Sequence, residues 1–158
     1  MKRKDDIGRL RTRARRRALQ ALYQWQMAGQ DLGDIETQFQ QEMDMSAVDM
    51  ELFQELLHGV PRRVDELDGM YGPLLDRPPE QLDPVERAIL RMGAYELEAR
   101  IDVPYRVVIN EAVELAKQFG ADQSHRYING VLDKVARGIP LRAAEMRSAR
   151  TPDSDRPA

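Results

Sequence analysis

The chain has 158 residues, 42% hydrophobic and 32% charged, with no cysteine and a formal net charge of −3. That length suits one ordinary domain or two small, closely packed subdomains, and the missing cysteines exclude disulfides, thiolate metal sites and cysteine nucleophiles. No apolar run approaches the roughly 18 residues needed to cross a bilayer, so the expectation is a soluble protein of a reducing cytoplasm with no membrane partner.

The chain opens with a basic arm. Lys2, Arg3, Lys4, Arg9, Arg11, Arg13, Arg15, Arg16 and Arg17 face only Asp5 and Asp6, so the first seventeen residues carry +7 and the rest −10. A basic end on an acidic body is the footprint of a nucleic-acid contact. The plainer readings are a solvated charge run or a membrane-surface anchor. Arg9 to Arg17 interrupts any apolar stretch that a signal peptide would need. The first helix is expected over about residues 9–28, where Leu10, Ala14, Ala18, Ala21, Leu22 and Trp25 recur at steps of three and four. Arg9, Arg13, Arg16 and Arg17 fall opposite that stripe, with Arg11 and Arg15 at its far edge. Tyr23 is seven residues past Arg16 and shares the arginine sector. Gly29 and Gly33 end the segment.

A short second helix is expected from Asp34 to about Asp44. Ser46 is read as the cap of a long third pattern running from Val48 to Tyr71, kinked or broken by Pro61. Residues 72–84 hold four prolines and mark the boundary between two halves. Asp83-Pro84-Val85-Glu86 then starts a helix with a carboxylate cap, proline at the first position and glutamate at the third. Its apolar residues surround all but a strip of Arg87, Arg91 and Glu98, as in a central, buried helix. Another helix carries Val108, Ile109, Ala112, Leu115, Ala116 and Phe119 to a stop at Gly120. The last starts near Asp122 and runs to Gly138. The expected organisation is a basic extension (1–8), two helical subdomains (9–75 and 76–140) and a mobile tail (141–158).

Catalysis finds little support. His58 and His125 lie in different halves without metal-ligand spacing, and Glu96, Glu98, Glu111 and Glu114 are read as ordinary solvated carboxylates. No phosphate-cradling glycine loop, nucleophile elbow or Walker-type lysine occurs. No cofactor, metal or catalytic residue is expected. On the last helix Gln123, Tyr127 and Lys134 share a flank, with Arg126 nearby. Arginines for phosphates, an aromatic to stack and an amide to read a base edge are what single-stranded RNA recognition requires.

The segment from Arg11 through Ala18-Leu19-Gln20-Ala21-Leu22-Tyr23-Gln24-Trp25 resembles the opening helix of the NusB family of bacterial transcription antitermination factors. Residues 83–97 resemble its central helix. Asp102-Val103-Pro104-Tyr105, Ile109 to Lys117, and Ser124 to Lys134 with its Asn129-Gly130-Val131-Leu132-Asp133-Lys134 core extend the resemblance over residues 9–138. It implies an all-α fold of two packed, antiparallel three-helix subdomains. It also implies binding of boxA-type single-stranded RNA together with a NusE-type small-subunit ribosomal protein, in an antitermination complex with RNA polymerase. Arg11, Arg13 and Arg15 match the family's RNA contact, with Arg16 beside them and Gln123, Arg126 and Tyr127 in support. Tyr23, Glu80 and Glu86 match partner-facing positions, and a basic partner would suit the acidic body. Gln123 stands where an acidic residue is often found, and the N-terminus is longer than the family pattern, so Lys2, Arg3 and Lys4 are extra phosphate contacts or a loose tail. Pairing of two free copies stays open. The competing readings are a protein-interaction scaffold and a stand-alone ribosomal-RNA-binding module.

Overall fold

A computed structural model of the chain describes the backbone of residues 4–155 and the side chains of residues 6–149. Those residues form an all-α fold of eight helices: α1 (Lys4–Ala28), α2 (Leu32–Glu42), α3 (Met50–Arg62), α4 (Val64–Tyr71), α5 (Pro84–Ala99), α6 (Tyr105–Phe119), α7 (Ser124–Arg137) and α8 (Pro140–Asp155). Two short 3-10 turns, Gly72–Leu74 and Pro79–Gln81, span the proline-rich link between α4 and α5. No described helix is long and apolar enough to cross a membrane. Lys2, Arg3 and the side chain of Lys4, considered as extra phosphate contacts, lie outside the described residues.

Local chemistry sets the boundaries. Asp31 caps α2 by accepting from the Asp34 amide, three residues before the expected start. Asp49 caps α3 through the Leu52 amide, while Ser46 bonds Asp44 within the preceding turn. Pro61 does end the long third pattern. The chain breaks at Arg63, whose amide reaches back to the carbonyls of Gly59 and Val60. Asp83 and Glu86 form the capping box at the head of α5. Gly29 takes the left-handed φ of 64° that closes α1.

One buried cluster runs through both halves of the chain. α1 packs against α2 and α3 on one side and against α5 and α6 on the other. It therefore needs two inward faces. Ala14, Ala18 and Ala21 supply one, and Thr12, Arg15, Leu19 and Gln26, again at steps of three or four until the last, lie toward α5 and α6. The strip of Arg87, Arg91 and Glu98 along α5 is a seam rather than a solvent face. Arg91 forks onto Asp68 of α4 at 2.8 Å through both Nε and Nη2, Glu98 pairs with Arg63 at 2.6 Å, and Arg87 donates to the Pro79 carbonyl.

The expected mobile tail is corrected over its described part. Pro140 occupies the first position of α8, where its missing N–H costs nothing. Two residues on, Arg142 is 0% exposed. Its guanidinium donates to the carbonyls of Glu96, Leu97, Arg100 and Val103 and to Glu145. Glu145 in turn accepts from the Tyr105 amide at the head of α6. These two side chains close the α5–α6 turn from outside both helices.

Candidate nucleic-acid interface

The basic side chains of α1 divide according to which neighbour faces them. Arg15 points inward and is 2% exposed. It donates from Nε and Nη2 to the two carboxylate oxygens of Glu96, each at 2.8 Å, and Glu111 lies 3.8 Å away. Burial pushes the guanidinium toward neutrality, but the bonds and charge of Glu96, with the charge of Glu111, outweigh it, and its pKa is raised. Thr12 donates to the same Glu111 at 2.7 Å. Arg11 is half-buried, 3.7 Å from Asp49.

Arg9 and Arg13 are exposed on the outward side of α1, and Arg16 and Arg17 lie half-buried beside them. Arg13, Arg16 and Arg17 wall a cavity of about 240 Å³ against Asp44, Ala47 and Val48 of the α2–α3 turn. The Arg16 Nε there is buried without a hydrogen-bond partner. A donor out of water and unmet is destabilising unless an acceptor arrives. Arg13 and Arg17 also sit close enough to Asp44 to help hold its carboxyl below the ordinary range, behind the bonds from Ser46.

At the head of α7, Gln123 occupies the left-handed region with φ 67° and is exposed, as is Arg126. Tyr127 is half-buried against the core, and the Arg77 guanidinium lies over its ring, 4.3 Å from the centroid. This group borders the Asp76–Arg77 turn and the N-terminus of α5, where Ser124 donates to Glu86. Arg13, Arg16 and Arg17 border the α2–α3 turn, while the buried Arg15 reaches Glu111 of α6.

Tyr23 is 40% exposed and, with Leu19, Val85 and Phe119, lines a shallow apolar groove of about 250 Å³. Phe119 is 39% exposed. Glu80 is exposed on the second 3-10 turn.

The profile of the NusB family matches residues 12–137. The chain belongs to the NusB family. A transcription antitermination protein NusB from Alkalilimnicola ehrlichii is 57% identical over 90% of this chain and 89% of its own length. Another, from Nitrosococcus oceani, is 57% identical over 87% of this chain and 91% of its own. The solved structure of T. maritima NusB superposes with a TM-score of 0.72 at 26% identity, covering 86% of this chain and 96% of that one.

Three residues matched to NusB-family contacts are placed otherwise than expected. Arg15 lies inside because α1 has neighbours on two sides, so one inward stripe underestimates its buried arc. Glu86 is buried and accepts from the Asp83 amide at 3.4 Å and from Ser124 Oγ, so its charge is committed within the fold. The Tyr127 ring carries Arg77 on one face rather than standing free to stack. Glu96, read as a solvated carboxylate, is 2% exposed. A signal was available: Glu96 lies outside the polar strip of a helix apolar on every other side, and a charge there requires a partner. Nothing in the sequence flags Arg142.

Proposed function

We propose that this NusB-family chain is a non-enzymatic transcription antitermination factor that grips boxA-type single-stranded RNA together with a NusE-type small-subunit ribosomal protein. The family and the names of its relatives support the antitermination role. The observation that carries the RNA reading is the arginine-walled cavity on α1. A phosphate there would stand among three cations, beside the single carboxylate of Asp44. Gln123 and Arg126 offer an amide and a second cation at the head of α7. Tyr23, Phe119 and the exposed Glu80 suit a partner with an apolar patch inside a basic surface.

Arg9, Arg13, Arg16 and Arg17 are four cations on that side of α1, so four phosphates neutralised give a log–log salt slope of about −3, or roughly 50-fold weaker binding at 200 mM than at 50 mM. Fluorescence titration of a boxA-type strand across that range, with and without the ribosomal protein, tests this. Binding indifferent to salt, or unchanged in an R13Q/R16Q variant, would end the RNA reading.

A further inference from the structure

The α6–α7 hairpin has two ends, and the head of α7 with Gln123 and Arg126 occupies only one of them. Tyr105 and Phe119 open and close α6, about 21 Å apart along its axis. Arg126 and Arg137 stand roughly 16 Å apart on α7. At the Tyr105–Arg137 end, away from the Tyr23–Phe119 groove and from the head of α7, lie two cavities of about 270 and 430 Å³. They share Tyr105, Asp133 and Arg137 and so form one cleft. α8 walls one lobe with Ala143, Met146 and Arg147. α6 and α7 line the other with Arg106, Asn110 and Asn129.

Three kinds of contact converge there. Arg106, Arg137 and Arg147 stand against one carboxylate, Asp133, so the lining is net positive on a body that is net acidic beyond residue 17. Asp133 pairs with Arg137 at 2.8 Å, a surface contact that leaves the guanidinium donors for a second carboxylate. Arg106 is exposed and donates from Nε to the Tyr105 hydroxyl at 3.2 Å. Asn110 and Asn129 are exposed, and no described residue bonds either amide. Each can donate to a carbonyl and accept from an N–H, the two groups that a peptide bond presents. Ile109, Ala143 and Met146 add apolar surface. The α8 wall is fixed, because Arg142 holds Glu145 and Glu145 accepts from the Tyr105 amide. The cleft is therefore shaped before any ligand enters it.

We infer that this cleft docks an acidic polypeptide segment of a partner protein, its carboxylates on Arg106 and Arg137, its backbone on Asn110 and Asn129, and one apolar side chain against Ile109 and Met146. Charge complementarity decides the occupant. A basic protein of the kind proposed for the Tyr23–Phe119 groove is repelled by these arginines. RNA is the poorer fit, since Asp133 opposes phosphates and the one ring, Tyr105, already carries Arg106 at 5.8 Å. The site goes beyond the RNA reading and holds or fails whether or not α1 grips a strand.

The probe is a capped hexapeptide, Glu-Glu-Leu-Glu-Glu-Leu, titrated into the full chain. Fluorescence anisotropy gives its affinity, and the side-chain amide signals of Asn110 and Asn129 in the isotope-labelled protein give its place. Saturable binding with a Kd below about 1 mM, weaker at high salt, should shift both amides. The same peptide with glutamine for glutamate should not bind. R106Q/R137Q should bind the probe about ten-fold more weakly, as expected of two surface ion pairs. N110A/N129A should weaken it with every charge in place, and circular dichroism confirms that both variants fold. No saturable binding by wild type, shifts confined to other surfaces, or variants that bind as wild type does would overturn the cleft. Equal binding of free glutarate would reduce it to a simple anion site, and the inference fails. It fails also if a boxA-type strand, rather than the peptide, shifts Asn110 and Asn129.

Discussion

Replacing Arg15 with methionine separates a buried structural cation from a phosphate contact. The substitution keeps most of the side-chain volume and leaves the Glu96 carboxylate buried opposite an apolar chain. Removing one partner of a buried ion pair costs about 3–5 kcal/mol. For a chain of this size each kcal/mol lowers Tm by about 2–4 °C, so R15M should melt roughly 6–20 °C below wild type. E96Q should be milder, about 1–3 kcal/mol, because Arg15 still has Glu111 at 3.8 Å. R15M/E96L replaces both charges with apolar groups and should recover much of the R15M loss. Urea unfolding of wild type, R15M, E96L and R15M/E96L closes the cycle and gives the coupling energy directly. At a temperature where R15M remains folded, its RNA salt slope should equal that of wild type, whereas R13Q should lose about 0.7. An R15M protein of wild-type stability with a reduced slope would refute the reasoning, since it would place the guanidinium on RNA.

Arg142→Met leaves four carbonyls without their donor, each costing about 1–3 kcal/mol if it stays dry; a loss of at least about 3 kcal/mol, matched by truncation after Ile139, is expected in thermal melts. At Gly59 a Cβ would stand 2.7 Å from the Tyr95 ring, so G59A should destabilise by about 1–3 kcal/mol through overpacking despite alanine's better helix propensity. Burial pushes the Asp68 carboxyl up, but the bonds from Arg91 and Tyr71 outweigh it and hold it below the ordinary 3.8. A carboxyl depressed on folding stabilises fully above its unfolded value and ceases to do so as pH falls through its folded one. D68N should therefore flatten the decline of Tm below about pH 4, and an unchanged acid limb would dismiss the pair.

What could be read in advance was local. The capping box of α5, the proline break after α3 and the glycine end of α1 each depend on residues within one turn of each other, and each stands where expected. Errors of a few residues arose where two capping groups compete. Asp31 and Asp34 bracket the start of α2, and Ser46 and Asp49 that of α3. Deciding between them needs the path of the preceding turn. α8 escapes a reading by period, because residues 141–158 carry mixed charges, two prolines and no apolar repeat, although Pro140 before them is equally fit to open a helix. Arg142 could not be found at all, since its acceptors come from residues 39 to 46 positions earlier in the chain. The same limit applied to the site. Periodicity separated Arg13 and Arg16 from the apolar stripe correctly, but the inward turn of Arg15 depends on where α5 and α6 lie.

The buried charges also explain why α1 can work as a rigid array. Ordering a disordered five-residue stretch such as 13–17 on binding would cost about 5–10 kcal/mol of backbone entropy, as much as the roughly 8 kcal/mol of an entire micromolar complex. On the proposed RNA reading, a helix that arranges the arginines before the strand arrives avoids that cost. Buried Ala14, Ala18, Ala21, Leu19 and Leu22 hold α1 by apolar packing, and Arg15 adds a tie with a set direction. It forks onto Glu96, whose own carbonyl is held by Arg142 from α8, and it shares Glu111 with Thr12. A fork has one good orientation. Turning α1 by one residue would swing Arg15 100° from Glu96 and carry Arg16 out of its cavity with it. The inner guanidinium fixes the angle at which the outer ones are presented to the proposed strand.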